Sequence, residues 1–277
     1  MNSIPLPPKA SYGILQQTRC ETAADEVVEQ IRTLGYAVLD GEFSQQELQL
    51  FSATFDETRA RYISAHGEEN LREINEYNTI RAPIGYQADI FLALALNPSL
   101  LSVIGSLIRG KFILNQQSGI INPPLEGYNQ GAWHRDLPYQ HFISSHPLAV
   151  NALFCLDPFT RENGATFVLP ASHKSESFPS ESYVARNAVQ IEAKAGSYII
   201  LDCMLFHAGG FNQTQVARRA VNHVYTIPFI KQQIDLPAIT KDYNIPADTQ
   251  SVLGFPYTEP RSVAEYLKRR SKQGRKS

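Results

Sequence analysis

The sequence predicts an α+β chain, with helices in its first 110 residues and a β-rich domain after them. Three observations lead there. Up to Ile108, apolar residues recur at helical spacing between capping residues. After Gly110 the period becomes strand-like. Many short strand runs then follow, divided by the turn signals Asn163-Gly164, Ala195-Gly196, Gly209-Gly210 and Pro228, which suggest a sandwich, jelly roll or barrel.

Taken in order, residues 1–20 form a Pro-rich arm. Residues 21–110 form a helical support region. Residues 111–230 form the β core, and residues 231–277 form a C-terminal extension, all within a single domain. Val27, Val28, Ile31 and Leu34 make a helical stripe that Gly35 ends. Tyr36 to Leu39 reads as a short strand. Ser44 with Glu47 three residues later is a capping box, and Phe43 with Leu48 a hydrophobic staple, so a helix runs from there to about Ile63. Residues 64–87 are polar and weakly patterned and read as loops over a site. Asn97-Pro98 starts a helix whose face carries Leu101, Ile104 and Ile108, and Gly110 ends it. Strand runs follow at 112–121, 148–156, 165–169, 189–191, 197–201 and 220–229, with no internal repeat. The basic run from Lys268 to Lys276 reads as a solvated, disordered end rather than an anion-binding tail.

Composition narrows the function classes. The chain has 277 residues, 43% hydrophobic and 19% charged, with a formal net charge of -2. Nothing in that balance points to nucleic acid. Three dispersed cysteines without CxxC spacing argue against a disulfide framework or a zinc knuckle and fit a reducing compartment. The N-terminus lacks a signal-peptide pattern, and no run approaches 18 apolar residues, so no membrane span is expected. The expectation is a cytoplasmic protein acting on a small molecule, with no nucleic acid or membrane partner. Its patterning sets no oligomeric state.

The chemistry concentrates in Gly131-Ala-Trp-His-Arg-Asp-Leu-Pro-Tyr-Gln-His-Phe142. His134 and Asp136 are two apart in an extended segment, so imidazole and carboxylate share a face. The best third ligand is His207, where a hydrophobic strand runs into glycines. Two His and one carboxylate with open positions form the facial triad of non-haem Fe(II) oxygenases. Eleven residues further on (218 minus 207), Arg218 opens another strand, and its planar fork suits the far carboxylate of a diacid whose near end chelates the metal.

These residues resemble the phytanoyl-CoA dioxygenase family of Fe(II)- and 2-oxoglutarate-dependent oxygenases. The resemblance rests on His134-Arg-Asp136, on Asn163-Gly-Ala-Thr-Phe-Val-Leu-Pro-Ala-Ser-His-Lys174, and on His207 through Asn212-x-Thr214 to Arg218. The opening Gly35-Tyr-Ala-Val-Leu39 followed by Phe43-Ser-x-x-Glu-Leu48 matches as well, so most of residues 22–230 is covered. It implies a double-stranded β-helix, a jelly-roll relative of the cupins, with the N-terminal helices packed on one sheet. It implies His134, Asp136 and His207 as iron ligands and Arg218 as the 2-oxoglutarate partner, with Arg219 on the opposite face. It also offers Asn115 and Gln117 as cosubstrate-binding residues and Arg135, Tyr139 and His141 as substrate-side residues. Some relatives carry a hydroxyl residue two after the distal His, where this chain has Gly209.

The resemblance implies that 2-oxoglutarate and O2 are consumed to succinate and CO2 while a substrate C–H bond is oxidised. Related halogenases have Gly or Ala at the position of Asp136, so hydroxylation is the expected outcome here, with desaturation, ring closure or ketone formation open to the same chemistry. The mixed polar set Arg72, Glu73, Glu76, Tyr77 and Arg81 favours a polar metabolite or natural-product intermediate over a long lipid, with an acyl-CoA hydroxylase of the same family as the alternative. Other readings use the same triad: a cupin-like isomerase or hydrolase with Zn or Mn and no 2-oxoglutarate, or a binding module that kept the fold. Arg218 discriminates, because neither needs a carboxylate clamp.

Overall fold

The computed structural model describes residues 7–273. Helix α1 (Ala23–Leu34) starts at Thr22, which caps the Asp25 amide, and stops at Gly35, whose φ of 88° admits glycine without strain. Strand β1 (Tyr36–Asp40) follows, and α2 (Gln45–His66) begins with the Ser44/Glu47 capping box. Residues 64–87 are not the loops the sequence suggested. They finish α2, then form α3 (Glu68–Glu73) and β2 (Thr79–Arg81). Elements of six and three residues are too short to show a period, and tertiary partners hold them. Leu71 is buried, and β2 pairs with β3 (Ile113–Asn122).

Two further helices precede β3. Helix α4 (Ala88–Ala95) is apolar nearly all round, as a buried helix must be. Helix α5 (Pro98–Ile108) is capped by Asn97, with Pro98 in its first turn, and ends at Arg109 in a left-handed conformation, one residue before the expected Gly110.

The remaining elements are β4 (Ala149–Cys155), β5 (Phe167–Val168), α6 (Glu181–Asn187), β6 (Val189–Gln190), β7 (Ser197–Asp202), β8 (His207–Ala208), β9 (Arg218–Thr226), α7 (Leu236–Ile239), α8 (Ala247–Val252) and α9 (Val263–Gln273). A six-stranded antiparallel sheet runs β1-β7-β4-β9-β3-β2, and a smaller one runs β6-β5-β8. The register decides what each strand presents. In β4, Ala152 and Phe154 join the core formed with the helices, while Leu153 and Cys155 join the core that includes Val168 and Leu205. The large sheet is thus covered by helices on one face and by the small sheet on the other, the two-layer arrangement of a jelly roll.

Two tyrosines tie the helical layer down. The Tyr198 and Tyr225 hydroxyls donate to the carbonyls of Leu94 and Ala95, at 2.7 and 2.6 Å, where α4 runs out of intrahelical partners. The basic tail differs from expectation. It is helical as far as Gln273, and Arg269 pairs with Glu265 one turn back. Residues 1–6 and 274–277 lie outside the described residues. Among the described residues no single helix is long and apolar enough to cross a membrane.

Candidate metal centre

His134 and His207 meet as an isolated antiparallel bridge: His134 N donates to His207 O at 2.9 Å, and His207 N donates to His134 O at 3.1 Å. That pairing carries two distant segments to one point. The donor atoms of His134, Asp136 and His207 all lie within 4.8 Å of one another. Asp136 Oδ1 is 3.9 Å from His134 Nε2 and 3.5 Å from His207 Nε2. Each imidazole has its other nitrogen against a backbone carbonyl, His134 Nδ1 at 2.7 Å from Ala132 O and His207 Nδ1 at 3.0 Å from Leu205 O. That contact places the proton on Nδ1 and leaves both Nε2 lone pairs for a cation. Asp136 Oδ2 accepts from Asn151 Nδ2 at 2.7 Å, which fixes the carboxylate. The donor set therefore fits a divalent transition metal.

Arg218 lines the same cavity as the three residues and is 2% exposed. Its guanidinium stacks 3.7 Å over the Phe159 ring and donates to the carbonyls of Asn163 and Gly164. Arg219 points the other way, to Asp157 and Asp56.

A family model described as phytanoyl-CoA dioxygenase (PhyH) matches residues 31–220. The chain belongs to the phytanoyl-CoA dioxygenase family. It is 34% identical over 242 residues to an uncharacterized protein of Mycobacterium tuberculosis, covering 84% of this chain and 88% of that one. A protein of Aspergillus fumigatus named as a dioxygenase is 30% identical over 172 residues, 58% of this chain and 53% of its own. EctD from S. alaskensis, solved with 2-oxoglutarate and 5-hydroxyectoine, superposes with a TM-score of 0.63 at 23% identity, covering 76% of this chain and 78% of that one. As a family member the protein is an iron- and 2-oxoglutarate-dependent dioxygenase.

Charge is distributed unevenly across the dioxygenase's site. Burial alone would raise the Asp136 pKa, but the two imidazoles and Asn151 outweigh it and hold the carboxyl at about 2. Burial and the neighbouring His207 push His134 below its ordinary value. Burial also acts downward on His207, yet the contact with Asp136 leaves its pKa raised. The carboxylate is thus ionised at neutral pH, and His207 is the last of the three side chains to lose its proton.

Several residues expected at the site lie elsewhere. A β-bulge between Leu114 and Gln116 shifts the register of β3, so Gln117 pairs with His223 and faces the helices. Its amide accepts from Ile84 N and donates to Phe91 O. Asn115 donates to Thr226 Oγ1 and to the carbonyls of Ile230 and Lys231, so its amide is occupied by the end of the β core. Arg135 turns away from its neighbours His134 and Asp136. Its guanidinium lies over Phe206 and donates to four carbonyls, those of Gln140, Ser172, Ser175 and Glu176, so it ties two loops together. Tyr139 and His141 are exposed and pack edge to face on the segment after Asp136.

Tyr128, Asn151 and Asn222 also line the cavity, beyond the residues that the sequence patterns point to. An asparagine inside the apolar runs Ala149–Cys155 and Arg218–Thr226 was a usable signal, since a buried amide needs a partner. Tyr128 sits in an irregular segment that gave none.

Proposed function

We propose that His134, Asp136 and His207 hold Fe(II) and that Arg218 takes the far carboxylate of 2-oxoglutarate. The observation that carries this is the combination of three converging donor atoms, with both Nδ1 sites tied to carbonyls, and a buried guanidinium in the same cavity. When bound, the iron supplies O2 activation coupled to conversion of 2-oxoglutarate to succinate and CO2. The protein's own part is placement. Asn151 orients Asp136, and Leu205 O and Ala132 O orient the imidazoles.

The reaction is hydroxylation, or another oxidation, of a C–H bond in a small polar metabolite or natural-product intermediate. Support for polarity comes from Gln130, Asn151, Thr166 and Asn222 in the cavity lining, not from the polar stretch after α2. There Arg81 pairs with Glu76 and Arg72 with Glu68, so those charges satisfy one another. The four segments act as one cytoplasmic catalytic unit with no nucleic acid or membrane partner.

The test is turnover of the cosubstrate. Purified protein given Fe(II) and O2 is expected to convert 2-oxoglutarate to succinate slowly without added substrate. The Asp136→Ala protein should lose more than about a hundred-fold of that rate, since even removing a ligand's outer partner costs 10–100-fold. Succinate formation that is equal in the two proteins would contradict the ligand assignment.

A further inference from the structure

Arg218 is a buried cation with an incomplete set of partners. Nε donates to Asn163 O at 3.3 Å, and Nη2 donates to Gly164 O at 3.1 Å and to Tyr128 Oη at 3.5 Å. No acceptor among the described residues takes the Nη1 hydrogens, and no carboxylate stands within ion-pair distance. A buried charge without a counter-ion is costly, so the cavity is built for an anion. The guanidinium has donors to spare, and the Tyr128 hydroxyl, which accepts from Nη2, still has its own hydrogen to give.

The position of that hydroxyl is enforced. A Cβ at residue 209 would stand 1.9 Å from Tyr128 Oη and 2.7 Å from Cζ. Gly209 therefore serves close approach: the phenol can lie against the chain two residues after His207 only because nothing projects there. Tyr128 lines the same cavity as His134, Asp136, His207 and Arg218. Burial raises the phenol pKa, so it remains a hydrogen-bond donor at neutral pH.

We propose that Tyr128 is a second anchor for the far carboxylate of 2-oxoglutarate, donating its hydroxyl hydrogen to one oxygen while Arg218 Nη1 donates to the carboxylate. Tyr128 thus supplies, from a different segment, the hydroxyl absent at position 209, and Gly209 makes room for it. This rests on the assignment of Arg218 as the 2-oxoglutarate partner. An inverse relation follows: any side chain at 209 displaces the phenol and removes the anchor.

The experiment compares two ligands on Mn(II)-loaded protein by calorimetric titration. One is 2-oxoglutarate. The other is 2-oxopentanoate, which has the same carbon chain with a methyl group in place of the far carboxylate. Tyr128→Phe should weaken 2-oxoglutarate roughly ten-fold, the effect of losing a hydrogen bond to a charged group, and leave 2-oxopentanoate unchanged. Gly209→Ala should show the same selective loss. Arg218→Ala should weaken 2-oxoglutarate further still. If Tyr128→Phe binds both ligands like the parent, or loses both equally, while Arg218→Ala fails on 2-oxoglutarate, the inference falls and the clamp stands. If Arg218→Ala binds 2-oxoglutarate like the parent, the clamp falls and the inference with it.

Discussion

Arg219 points to the helix-covered side of the large sheet, where Asp157 and Asp56 neutralise it at 2.8 and 2.7 Å, whereas Arg218 points between the two sheets and meets only carbonyls, a phenol and the Phe159 ring. The two are adjacent in sequence and differ in face because strand side chains alternate. The hydrogen bonds and ion pairs to Asp157 and Asp56 raise the Arg219 pKa, while burial lowers that of Arg218. One face completes its own electrostatics and holds the fold together. The other leaves a guanidinium and the His134, Asp136 and His207 donor atoms facing one cavity.

The contrast can be sharpened one residue at a time. The largest effect is expected from Asn151→Ala, which removes the hydrogen bond that orients Asp136. Metal affinity should fall by about 10–100-fold, measured by titration of Mn(II), with little change in melting temperature. On the opposite face, Gln117→Leu should do the reverse. It leaves Ile84 N and Phe91 O without their partner and should lower unfolding free energy by about 2 kcal/mol in a denaturant titration, with 2-oxoglutarate affinity unchanged. A Gln117 variant that lost the cosubstrate instead would return that residue to the site.

pH offers a milder probe. The His207 pKa lies above its ordinary 6.5 and that of His134 below it, so His207 is the ligand whose proton competes with metal. Metal affinity should rise with pH, by at most about ten-fold per unit for one proton, and level off above the folded-state pKa of His207. Without metal the sign is opposite. The His207–Asp136 contact stabilises the fold fully below pH 6.5 and loses that contribution as pH rises through the folded-state value. Affinity that is flat across this range would show that His207 is not a ligand. The smallest effect is expected from Arg219→Ala, a loss of about 1 kcal/mol of stability for a partly exposed ion pair, with no change in cosubstrate binding.

The fold class was legible because most helical periods precede Gly110 and most strand periods follow it, and the capping box at Ser44 marked a real helix start. The elements between α2 and β3 were not, because six-residue and three-residue pieces depend on partners that sequence order does not reveal. At the site, a two-residue spacing and one histidine before a glycine pair sufficed to single out His134, Asp136 and His207, which lie together. Asn115 and Gln117 show the limit. A single extra residue in β3 reverses which side chains share a face, and nothing local in Asn115-Gln-Gln117 signals a bulge. Arg135 shows a second limit, since its position between two site residues says nothing of where a long side chain ends.

The most direct measurement is a titration of 2-oxoglutarate into Mn(II)-loaded Arg218→Ala and Arg219→Ala proteins side by side. Affinity should fall by roughly 30-fold or more in the first, as when one partner of a buried charge pair is truncated, and stay at the parent value in the second. Equal affinity in the two variants, or a loss confined to Arg219→Ala, would contradict the division of the sheet into a face that stabilises and a face that binds.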